Sequence, residues 1–403
     1  MESIKEIFRI GRGPSSSHTM GPVIAAKKYR DKHPNAKSFR VTLYGSLALT
    51  GKGHLTDVAI TNELQPAKVE IVWKKDETKK FHPNAVEFEN IDDINNTDKW
   101  LVYSVGGGKI VEEKDVNTEP TLIYKQQNLQ DIVDYYKETG KTYWELVYET
   151  EGKEIQEYLA EVWQVMKNAI DRGIKTEGLI PGGLKLQRKS ASYYSKSKSL
   201  SHHAKTQSKI FAYALAVSEE NASGGIVVTA PTCGSSGILP AVLKITQEHY
   251  ELSDEKIIRA LATAGLFGNL VKHNASISGA EVGCQGEVGT ACAMASAAAT
   301  QLAGGSFAQI EYAAEMGLEH HLGLTCDPIA GLVQIPCIER NVHAAVRAFD
   351  SASYSLLSDG RHFISFDDVT NAMKQTGKDM PSLYRETAMG GLAVFGDGNF
   401  VDN

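Results

Sequence analysis

Apolar and polar residues alternate along several short stretches in the first third of the chain. Alternation predicts half-buried β-strands, because successive side chains of a strand point to opposite faces. Four stretches have this pattern: 39–44, 67–73, 100–105 and 121–124. The stretches are separated by charged or Asn/Asp-rich segments, which are typical of turns. We therefore expect a small mixed sheet near the N-terminus.

The period of the pattern changes near residue 127. Apolar residues then recur at helical spacing over 129–136 and 158–170, which predicts amphipathic helices. The stretches 257–271 and 287–302 are apolar or rich in small residues on every face, which predicts fully buried helices. The polar stretch 187–199 is predicted to be a mobile loop or a crossing between domains.

These patterns predict an α+β protein. A chain of 403 residues is long enough for two or three domains. We predict a small mixed α/β domain at 1–130, a helical linker with a mobile loop at 131–200, and a mostly all-α catalytic domain at 201–403.

Composition and charge exclude several classes of partner. The net charge of -7 disfavours binding to nucleic acid, which usually requires a basic surface. Apolar runs are too short to span a bilayer, and the N-terminus lacks the apolar core of a secretory signal. We expect a cytoplasmic protein with no nucleic-acid partner and no membrane partner.

The five cysteines are the most informative part of the composition, and all of them lie after residue 232: Cys233, Cys284, Cys292, Cys326 and Cys337. An odd number in an unsecreted chain argues against a disulfide framework. No pair has C-x-x-C spacing, so zinc-ribbon and thioredoxin motifs are excluded as well.

Three of these thiols lie in turns that contain glycine or proline: Cys284, Cys326 and Cys337. Three thiolates can hold a [4Fe–4S] cluster and leave one iron open to act as a Lewis acid. Inert buried thiols are the alternative interpretation. Cys292, inside the alanine-rich helix, is predicted to contribute only to packing.

Other turns also carry reactive or ligand-binding groups. The segment 13–22 places three serines, a histidine and a threonine between two Gly-Pro pairs, which suits a carboxylate or a phosphate. A serine-rich helix cap is the alternative. The turns at 230–240 and 274–289 are similarly polar, whereas the glycine turn at 104–110 lacks the spacing of a Walker loop.

Taken together, these segments resemble the bacterial iron–sulfur L-serine dehydratases. The matching segments occur in the same order along nearly the whole chain: GPSSSHTMGP, HPNAVEF, SVGGGKI, APTCGSSG, NASISGAEVGCQGEVG and CDPIAGLVQIPCIERN. The resemblance implies a single-chain enzyme with fused beta and alpha domains. It also implies conversion of L-serine to pyruvate and ammonia, in serine degradation and gluconeogenesis.

The resemblance also implies roles for individual residues. Cys284, Cys326 and Cys337 match the family's cluster spacing of 42 and then 11 residues, and His18 matches the proposed base that removes the α-proton. For the carboxylate and amine of the substrate we expect a set of hydroxyl and amide side chains: Ser16, Ser17, Thr19, Thr232, Ser235, Asn274 and Ser276.

His82 and Asn84 fall in a region that resembles the allosteric substrate-binding domain of some 3-phosphoglycerate dehydrogenases. We expect a regulatory or anion site there. The expected partner is a small amino-acid substrate, and the expected assembly is a homodimer.

The C-terminal segment departs from the resemblance, since some family members end in a cysteine that can cap the fourth iron. Here the residues that follow Val394 are FGDGNFVDN, so we do not expect a thiolate cap from this segment. Asp402 or the terminal carboxylate is an alternative ligand.

Three alternative functions remain open at this point. The first is the same chemistry on L-threonine or L-cysteine, and the second is a non-enzymatic iron–sulfur amino-acid sensor. The third is a pyridoxal-phosphate lyase, which would need Lys185 or Lys272 as its Schiff-base lysine.

Overall fold

The computed structural model of the chain describes residues 1–92, 98–115 and 120–396. Contacts divide the chain into two compact units: Gly11–Pro120, the small unit, and Met1–Ile10 with Thr121–Asn403, the helical unit. The small unit contains a mixed sheet, and the helical unit is almost entirely α-helical. The predicted α+β class is therefore confirmed.

Among its described residues, the small unit combines a five-stranded sheet with three α-helices. Its elements, in chain order, are β1 (Ile10–Arg12, which crosses the boundary), α1 (Gly21–Lys32), β2 (Ser38–Tyr44), α2 (Gly45–Thr50), α3 (Thr56–Leu64), β3 (Lys68–Lys74), β4 (Ala85–Asn90), β5 (Lys99–Ser104) and β6 (Ile110–Glu112). Three of the four predicted strands correspond to β2, β3 and β5.

The five-stranded sheet has the order β3-β2-β4-β5-β6. Strand β2 is parallel to β3 and antiparallel to β4, and β5 is antiparallel to both β4 and β6. Apolar residues of β2, such as Val41 and Leu43, form a buried core with Ala25 and Tyr29 of α1 and Ile60 of α3. This core holds the N-terminus of α1 over the sheet.

The fourth predicted strand, at 121–124, is wrong. This segment forms no ladder; instead the amides of Ile123 and Tyr124 donate to the carbonyl of Met1. The additional strand is instead β4, which begins within the HPNAVEF segment and pairs with both β2 and β5.

The predicted boundary of the first domain also differs from the structure, because residues 1–10 belong to the helical unit. The amide of Ile4 donates to Glu151 Oε1 at 2.8 Å, and Asn269 Nδ2 donates to the carbonyl of Glu2 at 2.7 Å. Such long-range hydrogen bonds leave no local periodicity in the sequence.

The helical unit continues the numbering with α4 (Leu129–Thr139), α5 (Tyr143–Glu151), α6 (Lys153–Gly173), α7 (Ser190–Ser197), α8 (His202–Ala222), β7 (Ile226–Val228), α9 (Ile238–Tyr250), α10 (Asp254–Asn274), α11 (Gly279–Val282), α12 (Thr290–Leu302), α13 (Phe307–Glu319), α14 (Cys337–Leu356), α15 (Phe366–Asp379) and α16 (Leu392–Phe395). No described helix combines the length and the apolar character needed to cross a membrane.

Helix α12 lies at the centre of this unit and contacts α9, α10, α13 and α14. Every residue from Thr290 to Thr300 is buried, as the small side chains on all faces predict. Ser365 caps α15: its side chain accepts from the amide of Asp368, and the side chain of Asp368 accepts from the amide of Ser365 in return.

The mobile loop predicted at 187–199 is wrong, because most of it forms helix α7, which packs against α8. Glu219 of α8 accepts hydrogen bonds from the amides of Lys189 and Ser190 at the start of α7. A carboxylate at this end stabilises a helix, and here it comes from a residue distant in the chain.

Candidate active site and metal centre

Three irregular segments of the helical unit place the predicted cysteine ligands. Cys284 follows α11 and precedes a π-helical turn, Gln285–Gly289, that leads into α12. Cys326 lies in an extended segment, where its amide donates to the carbonyl of Tyr384 at 2.8 Å. Cys337 begins α14 directly after Pro336. All three side chains are buried.

The carboxylate of Glu287 lies between two of these thiols. Cys284 and Cys326 each donate from Sγ to Glu287 Oε2 at 3.8 Å, and Thr232 donates to Oε1 at 2.8 Å. The ligand atoms of Cys284, Glu287 and Cys326 all lie within 4.8 Å of one another. Among the described residues, these three side chains can share one metal ion.

The third thiol, Cys337, interacts electrostatically with Cys284 and Glu287. Burial raises the pKa of the Cys337 thiol well above its ordinary value, and the charges of Cys284 and Glu287 raise it further. A hydrogen bond with Cys284, followed by burial, raises the pKa of Cys326 in the same way. Without a metal these two thiols are protonated, so metal binding has to release protons.

Arg340, three residues after Cys337, is a cation that acts on this group. Its Nη1 donates to the carbonyl of Thr325 at 2.6 Å, and its Nη2 lies 3.4 Å from Asp327 Oδ1. The positive charge of Arg340 lowers the pKa of both Cys337 and Glu287. Arg340 therefore favours the anionic forms that a metal requires.

A second carboxylate, Glu386, lies close to Glu287. Burial and then the charge of Glu287 raise the pKa of Glu386 to about 8. Its backbone φ is +54°, a left-handed conformation that is uncommon for a residue with a side chain. The neighbouring amide of Thr387 donates to the carbonyl of Cys326, which connects this turn to the cysteine.

In the small unit, His18 lies in a π-helical turn, Ser16–Met20, just before α1. Its Nδ1 is 2.9 Å from Ser17 Oγ, and its Nε2 is 2.9 Å from Ser46 Oγ. The ring is 4% exposed and stacks against His54. Both nitrogens and one ring face are thus held by neighbours.

Burial lowers the pKa of His18 well below its ordinary value, and the charges of His54 and His82 lower it further. Burial also lowers the pKa of His54 to about 4. Both rings are therefore neutral near pH 7. A neutral imidazole has one nitrogen that can accept a proton.

The residues expected to form a regulatory site lie close to this histidine pair. His82 acts on the pKa of His18, and the amide of Asn84 donates to His82 Nδ1 at 3.1 Å. The side-chain oxygen of Asn84 is buried without a hydrogen-bond partner. A regulatory role for His82 and Asn84 stays a prediction.

The other predicted substrate-binding residues already take part in internal contacts. Thr19 donates to the carbonyl of His54, and Ser16 is buried in the same turn. Thr232 and Ser235 lie 3.2 Å apart at their hydroxyls.

Asn274 ends α10 and donates to the carbonyl of Gln127 at 2.8 Å. Ser276 accepts from the amide of Ser278. For this whole set, contact with a substrate stays a prediction.

The glycine turn at 104–110 connects β5 to β6 as a hairpin. Gly106, Gly107 and Gly108 all have positive φ, and the amide of Lys109 donates to the carbonyl of Gly106 at 2.8 Å. Residues with side chains rarely adopt this conformation, which explains the three glycines. The turn thus has a structural role.

Sequence reasoning missed four side chains that the structure places in these two groups: Ser46, His54, Glu287 and Glu386. Glu287 carries a signal, since it follows Cys284 by three residues within one polar turn. His54 and Ser46 lie near glycines in an otherwise ordinary segment, and nothing local connects them to His18.

The helical unit gathers buried thiols around a carboxylate, and the small unit buries a neutral histidine among hydroxyls. These are the parts of a metal-dependent acid–base enzyme. Residues 67–393 match the family described as serine dehydratase alpha chain, and residues 3–70 match serine dehydratase beta chain. The chain belongs to the serine dehydratase family and carries both parts in one polypeptide.

Several curated relatives are similar along almost their whole length. The chain is 42% identical to the L-serine dehydratase of Streptomyces coelicolor, over 97% of this chain and 98% of the relative. It is 42% identical to L-serine dehydratase 1 of Escherichia coli, over 98% and 99%. The L-serine dehydratase of Helicobacter pylori is 35% identical over 97% and 98%.

Proposed function

We propose that this chain is an L-serine ammonia-lyase. The observation that carries the proposal is the similarity to enzymes named L-serine dehydratase over 97% or more of the chain. In this reaction serine loses water to give aminoacrylate, which tautomerises to an imine. Hydrolysis of the imine consumes one water and gives pyruvate and ammonia.

Cys284, Cys326 and Cys337 are the residues that would hold a [4Fe–4S] cluster. The donor set fits, because buried thiolates are the soft ligands that iron–sulfur clusters use. The three thiols also belong to one group, because Cys284 and Cys326 both contact Glu287 and the charges of Cys284 and Glu287 act on Cys337. When bound, such a cluster supplies an open iron that acts as a Lewis acid on the hydroxyl that leaves.

His18 is the proposed base that removes the proton from Cα. The lowered pKa keeps its ring neutral, so one nitrogen accepts the proton while the other keeps its serine partner. Ser17 and Ser46 hold the ring in plane, and stacking on His54 limits its rotation. A positioned general base contributes roughly 10²–10⁴-fold to the rate.

The remaining expectations belong to the same proposal. Ser16, Ser17, Thr19, Thr232, Ser235, Asn274 and Ser276 would hold the carboxylate and the ammonium group of the substrate. A cytoplasmic homodimer that degrades serine for pyruvate formation and gluconeogenesis, without nucleic-acid or membrane partners, follows from the resemblance and the composition.

Anaerobic purification followed by iron and sulfide analysis, an absorption spectrum and a pyruvate assay tests this proposal. We expect iron and sulfide in equal amounts, a brown protein, and turnover of L-serine above that of L-threonine or L-cysteine. A colourless, iron-free protein that is still active would refute the cluster. An iron–sulfur protein that turns over none of these amino acids would favour a sensor.

A further inference from the structure

Two thiols and a hydroxyl, instead of cations, surround the carboxylate of the half-buried residue Glu287. Within the part of the chain that the structure describes, no lysine or arginine forms an ion pair with it. Its hydrogen-bond donors are the Thr232 hydroxyl on Oε1 and the thiols of Cys284 and Cys326 on Oε2. The carboxylate thus has no cationic partner among the described residues, although it is largely removed from water.

The same three side chains are close enough to share one metal centre. The ligand atoms of Cys284, Glu287 and Cys326 all lie within 4.8 Å of one another. Iron bound by these cysteines would therefore have a carboxylate oxygen beside it, and carboxylates also ligate iron in proteins.

The orientation of the Glu287 side chain favours binding of this metal centre through Oε2. Thr232 fixes Oε1, which leaves Oε2 directed at the two thiols at equal distances of 3.8 Å. A Cβ at Gly279 would lie 2.6 Å from Oε2 and 3.2 Å from Cys326 Sγ. The bare glycine backbone therefore lets the carboxylate approach the cysteine closely.

We propose that Glu287 is the oxygen ligand, in the substrate-free enzyme, of the iron that the three cysteines leave without a thiolate. The inference rests on the proposed function, since it requires the cluster. Glu287 thereby protects the open iron, which in a site lacking such a ligand would carry water.

Electron–nuclear double resonance of the reduced, substrate-free holoenzyme in oxygen-17-enriched water tests the ligand directly. We expect no labelled-water coupling in the natural enzyme and a clear coupling in Glu287→Gln, because an amide is a poor ligand for iron. Labelled water on the cluster of the natural enzyme would overturn the inference.

A second readout follows loss of the open iron during mild anaerobic oxidation, measured as the signal of the three-iron product. Glu287→Gln should lose this iron about 10-fold faster or more, as expected for a weakened metal site. The matched control is Glu386→Gln, which removes a neighbouring half-buried carboxylate. Among the described residues, Glu386 forms no hydrogen bond with a thiol, and the rate of iron loss in this variant should stay near that of the natural enzyme.

The outcomes separate the two proposals. Natural enzyme without iron and sulfide refutes the cluster, and with it the role of Glu287. Natural enzyme with an intact cluster, and equal iron loss in Glu287→Gln, refutes the role of Glu287 alone. If Glu386→Gln loses iron as fast as Glu287→Gln, the faster loss is a general effect of charge, and the role of Glu287 is overturned as well. If Glu287→Gln assembles no cluster, the labelled-water measurement on the natural enzyme decides.

Discussion

The imidazole rings of His18 and His54 are stacked, with centroids 4.6 Å apart and planes inclined by 28°. Burial lowers the pKa of both rings, and the charge of His54 lowers the pKa of His18 further. Both imidazole rings are therefore neutral near pH 7. Their neutral state affects the pH dependence of stability and the ability of His18 to accept a proton.

Acidification should destabilise the protein through this pair. The pKa of His54 falls from its ordinary 6.5 to about 4 on folding, so between these values the unfolded chain binds more protons than the folded one. Stability therefore decreases as pH falls from about 6.5 to about 4, by about 3 kcal/mol for His54 alone.

Urea unfolding of the full chain at several pH values checks this prediction. In His54→Gln the pH dependence over the same range should be smaller. An unchanged pH dependence in that variant would show that His54 is not the group responsible.

Replacement of His18 should remove catalysis and leave the cluster intact. His18→Ala eliminates the proposed base, and we expect kcat to fall by roughly 10²–10⁴-fold with the visible absorbance unchanged. His33→Ala is the matched control, since His33 is a histidine of the same unit that pairs with Asp98. Near-normal activity of His18→Ala would exclude His18 as the base.

The cysteines should divide into two groups when changed to serine. Cys284→Ser, Cys326→Ser and Cys337→Ser should each lower the bound iron and sulfide and abolish turnover, because a ligand is lost. Cys292→Ser is the matched control: its thiol is buried in α12 against the carbonyl of Ala344. If Cys292→Ser loses iron as well, the loss reflects folding and the ligand assignment fails.

Gly279→Ala tests how closely the site is packed. The new methyl group would lie 2.6 Å from Glu287 Oε2, so the carboxylate or the backbone has to move, at a cost of about 1–3 kcal/mol. Gly183→Ala is a fair comparison, because a Cβ there meets nothing within 4 Å. Thermal melts and iron analysis of both variants check the expectation, and two identical melts would contradict it.

Much of the fold could be predicted because periodicity is local. Strands β2, β3 and β5 and helices α4, α6, α10 and α12 follow directly from the spacing of their apolar residues. The errors occurred where partners are distant. The segment 121–124 has the composition of a strand but bonds to Met1, and α7 looks like a polar loop until Glu219 caps its first turn.

The candidate site shows the same division. The reactive groups, the spacing of Cys284, Cys326 and Cys337, and the buried character of α12 can be predicted, since they depend on residue type and on neighbours in the chain. The fold is needed to see that Thr232 holds Glu287 between two thiols, and that His54 stacks on His18. Those relationships join segments tens of residues apart, and packing of the whole core creates them.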